Sequence, residues 1–167
     1  MTVGSQYTDW CFEVEADAVG ICALRCLGVG DAVRSDARCQ NRMLVSQNIY
    51  HRLQDWLDSY FSGAVPDFVP PLHLVGTEFQ TRVWQMLLAI PYGTTTTYGE
   101  LARRLGPRMS AQAVGQAVGH NPVALVVPCH RVVAAHGLGG YAYGTEVKRR
   151  LLQHELSTLC KLQNMTS

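Results

Sequence analysis

The sequence predicts a mixed α/β chain, with a small α/β domain over residues 1–75 and a mainly helical domain over residues 76–167. Three observations point there. Trp10, Phe12 and Val14 alternate with Cys11, Glu13 and Glu15, the period of two of a half-buried strand. Beyond Gly76-Thr77, apolar residues return at steps of three and four, in stretches closed by Pro and Gly. The charge changes with the pattern: residues 1–75 carry 5 Lys and Arg against 9 Asp and Glu, and residues 76–167 carry 9 against 4. A polyanionic partner, if there is one, is therefore expected on the C-terminal half.

The 167 residues are 47% hydrophobic and 16% charged, enough to bury a core. No apolar stretch approaches the ~18 residues of a membrane span. The first residues lack the apolar segment of a signal peptide. A reducing, cytoplasmic setting is therefore expected for the six cysteines. Cys22 and Cys26 are four apart, but no second Cys or His pair follows at zinc-finger spacing. No metal and no cofactor is expected.

In the first domain, Asp17-Ala18-Val19-Gly20 is a turn signal between the first strand and the apolar run Ile21–Leu27, together a hairpin. Residues 28–42 read as loop. Leu44, Ile49, Leu53, Trp56, Leu57, Tyr60 and Phe61 then mark one face of a helix over about 43–62. Val69-Pro70-Pro71 imposes an extended path, and His73 beyond it reads as packed or solvated. In the second domain, Thr77 and Gln80 fit a capping box, followed by a stripe of Phe79, Val83, Met86, Leu87 and Ile90 with Trp84 at its border. A second helix runs from Tyr98 to Leu105. Gly106-Pro107 breaks it, and Ser110 caps a third helix reaching Gly119. Two short helices about such a turn make a helix-turn-helix candidate. The third helix is built of Ala, Gly, Val and Gln. Gly inside a helix is unfavourable by up to about 1 kcal/mol against Ala. Such a helix is small either to pack on a neighbour or to enter a narrow groove. The last helix is expected over Glu146–Leu156, with Lys148, Arg149 and Arg150 on a solvated face and residues 157–167 frayed.

The chemistry concentrates at Pro128-Cys129-His130-Arg131, between the apolar runs Ala124–Val127 and Val132–Ala135. That placement reads as a buried strand end. A thiol is a nucleophile only as thiolate, and neighbouring cations or proton acceptors supply that form. The bland alternative is a core thiol acting as a small hydrophobe. Downstream, residues 136–144 hold four glycines and two tyrosines, read as a mobile loop able to approach or stack on a flat ligand.

Seven motifs occur in order: Gly76-Thr77-Glu78-Phe79-Gln80, Val83-Trp84, Ile90-Pro91-Tyr92-Gly93, Thr97-Tyr98-Gly99-Glu100-Leu101-Ala102, Ala113-Val114-Gly115, Asn121-Pro122 and Pro128-Cys129-His130-Arg131-Val132. In these the chain resembles the O6-alkylguanine-DNA alkyltransferase family (methylated-DNA–protein-cysteine methyltransferases). The resemblance covers residues 76 to about 156. The N-terminal half agrees with the family's ribonuclease-H-like α/β domain in length and element order. The resemblance implies direct, irreversible transfer of an alkyl group from O6-alkylguanine, and from O4-alkylthymine, to Cys129. Each molecule acts once, on a base flipped out through the minor groove. It implies His130 as base through a water, Glu155 as its orienter, Asn121 as a tether, and Tyr98 as donor to the leaving base. Ser110, Gln112, Ala113 and Gly115 of the third helix, with Arg131, Val132, Tyr141 and Ala142, are implied in binding DNA and base. The implied partner is double-stranded DNA containing alkylated bases, met by a monomer, with cooperativity on DNA open. The location would be nucleoid-associated in a prokaryote and nuclear in a eukaryote.

One position departs from the family. An arginine usually precedes the Ala-Val-Gly and fills the gap left by the flipped base; here it is Gln112. Three other readings compete. A non-catalytic lesion-binding relative would lack the cysteine. A transcription regulator would need base-reading side chains that the third helix lacks. A Cys-His hydrolase would need an oxyanion hole that nothing in the sequence positions.

Overall fold

The computed structural model describes residues 2–3, 10–29 and 47–165. The expected loop over 30–42 and the first residues of the first expected helix, 43–46, lie outside the described residues. The chain forms two compact units. One holds residues 1–75 and Pro122–Val126, the other Gly76–Asn121 and Val127–Ser167.

In the first unit, β1 (Thr2–Val3), β2 (Trp10–Ala16) and β3 (Ile21–Val29) make an antiparallel sheet in the order β1-β2-β3. The alternation in β2 is real: Phe12 and Val14 are buried while Glu13 and Glu15 reach Arg25 on β3. Strand β3 runs two residues further than expected, because Gly28 and Val29 pair with Cys11 and Trp10. The turn works as its residues suggest. Asp17 Oδ1 accepts from the amides of Val19 and Gly20. The Pro-Pro path then lies beside β3, with Leu72 bridged to Ile21. Helix α1 (Gln47–Ser62) buries Ile49, Leu53, Trp56, Leu57 and Tyr60.

His73 is not merely packed. Its Nδ1 meets Asp17 Oδ2, and Asp17, Cys22 and His73 bring one donor atom each within 4.8 Å of one another. The amide of Gly20, His73 and the amide of Val19 hold the Asp17 carboxyl well below the usual carboxylate range.

The second unit begins with α2 (Glu78–Leu88), whose capping box is complete. Trp84 is not at a border. It is buried, and its Nε1 donates to the Ala117 carbonyl at 2.9 Å. Strand β4 (Thr96–Thr97) leads directly into α3 (Tyr98–Leu105), which Thr97 caps. Helix α4 (Ala111–Gly119) is capped by Ser110 and packs on α2 and α3 through Val114, Ala117 and Val118.

The apolar run before the cysteine is buried, but it is not a strand. Val123 bridges to Leu24 within the first unit, and Leu125 takes a left-handed backbone at φ 71°. A Leu at positive φ is unfavourable, and here it turns the chain where sequence pattern alone reads continuation. Cys129–Arg131 then form one 3-10 turn, followed by β5 (Val132–Val133), which pairs in parallel with β4. The last helix, α5 (Thr145–Met165), continues nine residues past its expected end. Leu159 explains part of this: it extends the apolar face and meets Gly93.

A Cβ on Gly20 would stand 2.7–2.8 Å from the backbone of Pro71 and Leu72. Backbone there cannot step aside cheaply. Gly20→Ala is expected to lower stability by about 1–3 kcal/mol, read as a lower urea midpoint; an unchanged midpoint would contradict this packing.

Candidate active site

The site is built from short elements that converge on Cys129. The β4–β5 ladder sets Tyr98, the first residue of α3, beside the strand that leaves the Cys129 turn. Between α4 and that turn the chain leaves the second unit for Pro122–Val126 and returns at Val127. Asn121 closes this excursion: its Nδ2 donates to the Val127 carbonyl at 2.8 Å. Cys129 is buried and opens onto a cavity of about 290 Å³, also lined by Tyr98, Gly115, Val118, Asn121, Tyr141 and Tyr143. That is near the lower end of the ~300–1,000 Å³ usual for small-molecule sites, a fit for one flat ring system.

Beneath the thiol lies a buried ionic cluster. Glu155, fully buried on α5, accepts from His130 Nε2 at 2.7 Å, from Arg131 Nε at 3.0 Å and Nη2 at 3.0 Å, and from the Gly93 amide at 2.9 Å. Arg131 also donates to the Ile90 carbonyl at 2.7 Å. Burial by itself raises a carboxyl, but the hydrogen bonds from His130 and Arg131, together with the Arg131 charge, outweigh it and hold Glu155 at about 2. Burial pushes His130 the other way, below its ordinary value, so the imidazole is neutral near pH 7. An ionised carboxylate only accepts, so the proton of neutral His130 sits on Nε2. The lone pair is then on Nδ1, which is buried and has no hydrogen-bond partner among the described residues.

The thiol itself is pushed up by burial. Hydrogen bonding from Asn121, its own backbone amide, the Lys148 charge and Tyr141 oppose this in part. The site thus holds a thiol, and the residue that follows it in the chain carries an imidazole nitrogen with its lone pair unused among the described residues. Tyr98 is raised by burial and is a neutral phenol that donates, at a long 3.4 Å, to the Gly140 carbonyl.

A family model described as the DNA-binding domain of 6-O-methylguanine DNA methyltransferase matches residues 78–157. The methylated-DNA–protein-cysteine methyltransferase of Methanosarcina mazei is 42% identical over 124 residues, 74% of this chain and 78% of that protein. This chain belongs to the methylated-DNA–protein-cysteine methyltransferase family. The relative of that name from Mycobacterium tuberculosis is 53% identical over 104 residues, 62% of this chain and 63% of the relative's length, so the match spans less than two thirds of it. The solved structure of Mycobacterium tuberculosis OGT in complex with DNA has a TM-score of 0.77 at 38% identity, covering 94% of this chain and 92% of that one.

Of the residues expected at a methyltransferase site, the structure gathers Cys129, Asn121, Tyr98, Gly115, Tyr141 and Ala142 around one cavity, with His130 and Glu155 beneath it. Ser110, Gln112 and Ala113 lie apart from it at the N-terminus of α4, where Ser110 and Gln112 are exposed. Two expectations are corrected. Arg131 does not face a base: its guanidinium is buried and taken up by Glu155 and Ile90, because Glu155 needs a permanent counter-charge. Val132 is not part of the cavity lining, and its carbonyl is engaged by Lys148 at 2.6 Å.

The glycine-rich loop is pinned as well. Gly140 O accepts from Lys148, and Gly139, at φ 70°, brings its backbone so close to Tyr98 that a Cβ would stand 3.2 Å from the ring. Lys148 was expected on a solvated face and is fully buried. The missed signal was periodicity: Lys148, Leu151, Glu155 and Thr158 fall on one helical face, and all four are buried.

Removing Glu155 would strand Arg131 and His130. Glu155→Ala is expected to lower stability by about 3–5 kcal/mol, measured by urea unfolding near pH 7. Because its pKa is depressed, the contribution of Glu155 is present above the ordinary carboxyl range and is lost as pH falls toward 2. Acid sensitivity between pH 5 and 2 should therefore be smaller in the variant, and equal sensitivity would contradict the assignment.

Proposed function

We propose that this chain repairs DNA by accepting the alkyl group of O6-alkylguanine, and of O4-alkylthymine, on Cys129, once per molecule. The observation that carries the reading is the buried Cys129 thiol, opening onto an aromatic-walled cavity with the His130 base beside it in the chain. The thiol proton passes to His130 Nδ1 through one water. The thiolate attacks the alkyl carbon, the S–C bond forms as the C–O6 bond breaks, and the guanine leaves with the bonding pair. The proton returns to the guanine, with Tyr98 donating to the leaving base. The thioether product resists hydrolysis, so the protein is spent.

A base stacked in a duplex cannot reach a buried thiol, so the nucleotide must be extruded. We read α3 and α4 as a helix-turn-helix that lays α4 in the minor groove, where small side chains suit a width of about 6 Å. Gly115 and Gly119 leave the α4 side of the cavity open to the base. Gln112, exposed on the first turn of α4, would fill the space the base leaves. The hairpin and α1 of the first unit suit a ribonuclease-H-like scaffold. A DNA substrate places the protein in the compartment that holds the genome, and the binding unit would be a monomer.

The direct test is mass. Incubation with a duplex carrying O6-methylguanine should add one methyl to the peptide containing Cys129, and none in Cys129→Ser. No gain, with tight binding to the lesion, would instead mark a non-catalytic lesion binder.

The pH dependence follows from His130. Burial lowers its pKa, so its base form persists to lower pH than for an exposed histidine, and the single-turnover rate should begin to fall at lower pH than an exposed histidine base would give. In His130→Ala the neutral rate should drop by about 10²–10⁴-fold and climb with pH toward the raised thiol value. A retained plateau would contradict the base assignment. Gln112→Arg should tighten lesion binding and speed transfer; if both stay unchanged, the space-filling role of this position is wrong.

A further inference from the structure

One buried charge of the site takes neither a proton nor the alkyl group in the transfer. Lys148 on α5 is fully buried, and its Nζ donates to Val132 O at 2.6 Å and to Gly140 O at 3.0 Å, 5.9 Å from the centre of the Tyr98 ring. It forms no ion pair with a carboxylate among the described residues. The nearest carboxylate on its own helix face, Glu155, is already saturated by His130, Arg131 and Gly93. Burying an ammonium without an anion is expensive. Two carbonyls and a ring face compensate in part, and both carbonyls belong to segments that shape the site. Val132 leaves the Cys129 turn, and Gly140 opens the loop that carries Tyr141 and Tyr143.

The groups that bear on Cys129 come from every element around it. They are Tyr98 of α3, Asn121 after α4, His130 in its own turn, Tyr141 of the loop and Lys148 of α5. Tyr98, Asn121 and Tyr141 are uncharged, His130 is neutral, and the Arg131 charge is matched by Glu155. Among the described residues, the Lys148 charge favours the thiolate of Cys129, and the Cys129 charge favours the Lys148 ammonium in turn.

We infer that Lys148 is a positioning residue for alkyl transfer: its ammonium pins the Gly140–Tyr143 wall of the cavity to the Cys129 turn and stands as the counter-charge of the Cys129 thiolate. The role rests on Cys129 being the alkyl acceptor. It explains why a lysine is kept in a dry position that a methionine would fill without the desolvation penalty.

The test is the pH profile of Cys129 carbamidomethylation by iodoacetamide, followed by mass on the Cys129 peptide, in the wild type and Lys148→Met. The midpoint should rise by about one pH unit, with a roughly tenfold slower reaction at neutral pH and a plateau regained at high pH. A lower plateau with an unmoved midpoint is what a structural role alone gives, and it would overturn the inference. If Lys148→Met does not fold, the coupling is read from the other side. The Lys148 Cε resonance should titrate at lower pH in Cys129→Ser than in the wild type, since coupling is reciprocal; equal midpoints overturn it. Methyl transfer from DNA by the wild type, with an unmoved midpoint in the variant, sinks this inference alone. Failure of that transfer sinks the activity it rests on.

Discussion

The carboxylate of Glu155 is the constraint on which the second unit depends. It is fully buried and bonded on both oxygens, to a turn amide at Gly93, a guanidinium at Arg131 and an imidazole at His130. Each bond fixes a different piece of chain. Gly93 adopts a positive φ of 71°, a backbone that side chains rarely take, and this turn lets its amide reach the carboxylate. Arg131 ties the same carboxylate to the end of α2 through Ile90. His130 receives its tautomer from it. A buried ion pair adds little net stability against an apolar isostere. What this one supplies is a defined proton position, with a permanently charged arginine keeping the carboxylate ionised while the histidine stays neutral.

Much of the fold was legible because local chemistry and global packing agree. The alternation of β2, the Asp17 turn, the Thr77 capping box and the Ser110 cap all operate as their residue types suggest. The failures share a cause. Trp84, Lys148 and Arg131 carry polar atoms, and a pattern of apolar residues places such side chains at a border or on a surface. Each is buried because a partner distant in sequence satisfies it: Ala117 for Trp84, Val132 and Gly140 for Lys148, Glu155 for Arg131. No local rule contains those partners. The run before Cys129 failed differently. Its apolar residues are buried as expected, but the positive φ at Leu125 is a tertiary strain that composition does not announce.

At the site, the residue types were readable and their division of labour was not. Cys129, Asn121 and Tyr98 line one cavity, and His130, next to Cys129 in the chain, is bonded to Glu155 outside that lining; the resemblance implied all five. The small side chains of α4 have two uses rather than one. Val114, Ala117 and Val118 are buried in the helix packing, while Gly115 lines the cavity, where a Cβ would make only ordinary contact with the Tyr98 ring. In the first unit, the Asp17–His73 pair was invisible for a simpler reason. Its members are 56 residues apart, and only the strand-like path beside β3 brings them together.

The chemistry of Cys129 depends on the state of one imidazole. If Glu155 fixes the proton of His130 on Nε2, then Nδ1 is a buried lone-pair acceptor on the residue that follows Cys129, and the buried ionic cluster has a chemical purpose. Nitrogen-15 NMR of the imidazole ring near neutral pH reads this directly. His130 should show a protonated, pyrrole-type Nε2 and a bare, pyridine-type Nδ1. A protonated Nδ1, in either the neutral or the doubly protonated ring, would contradict it.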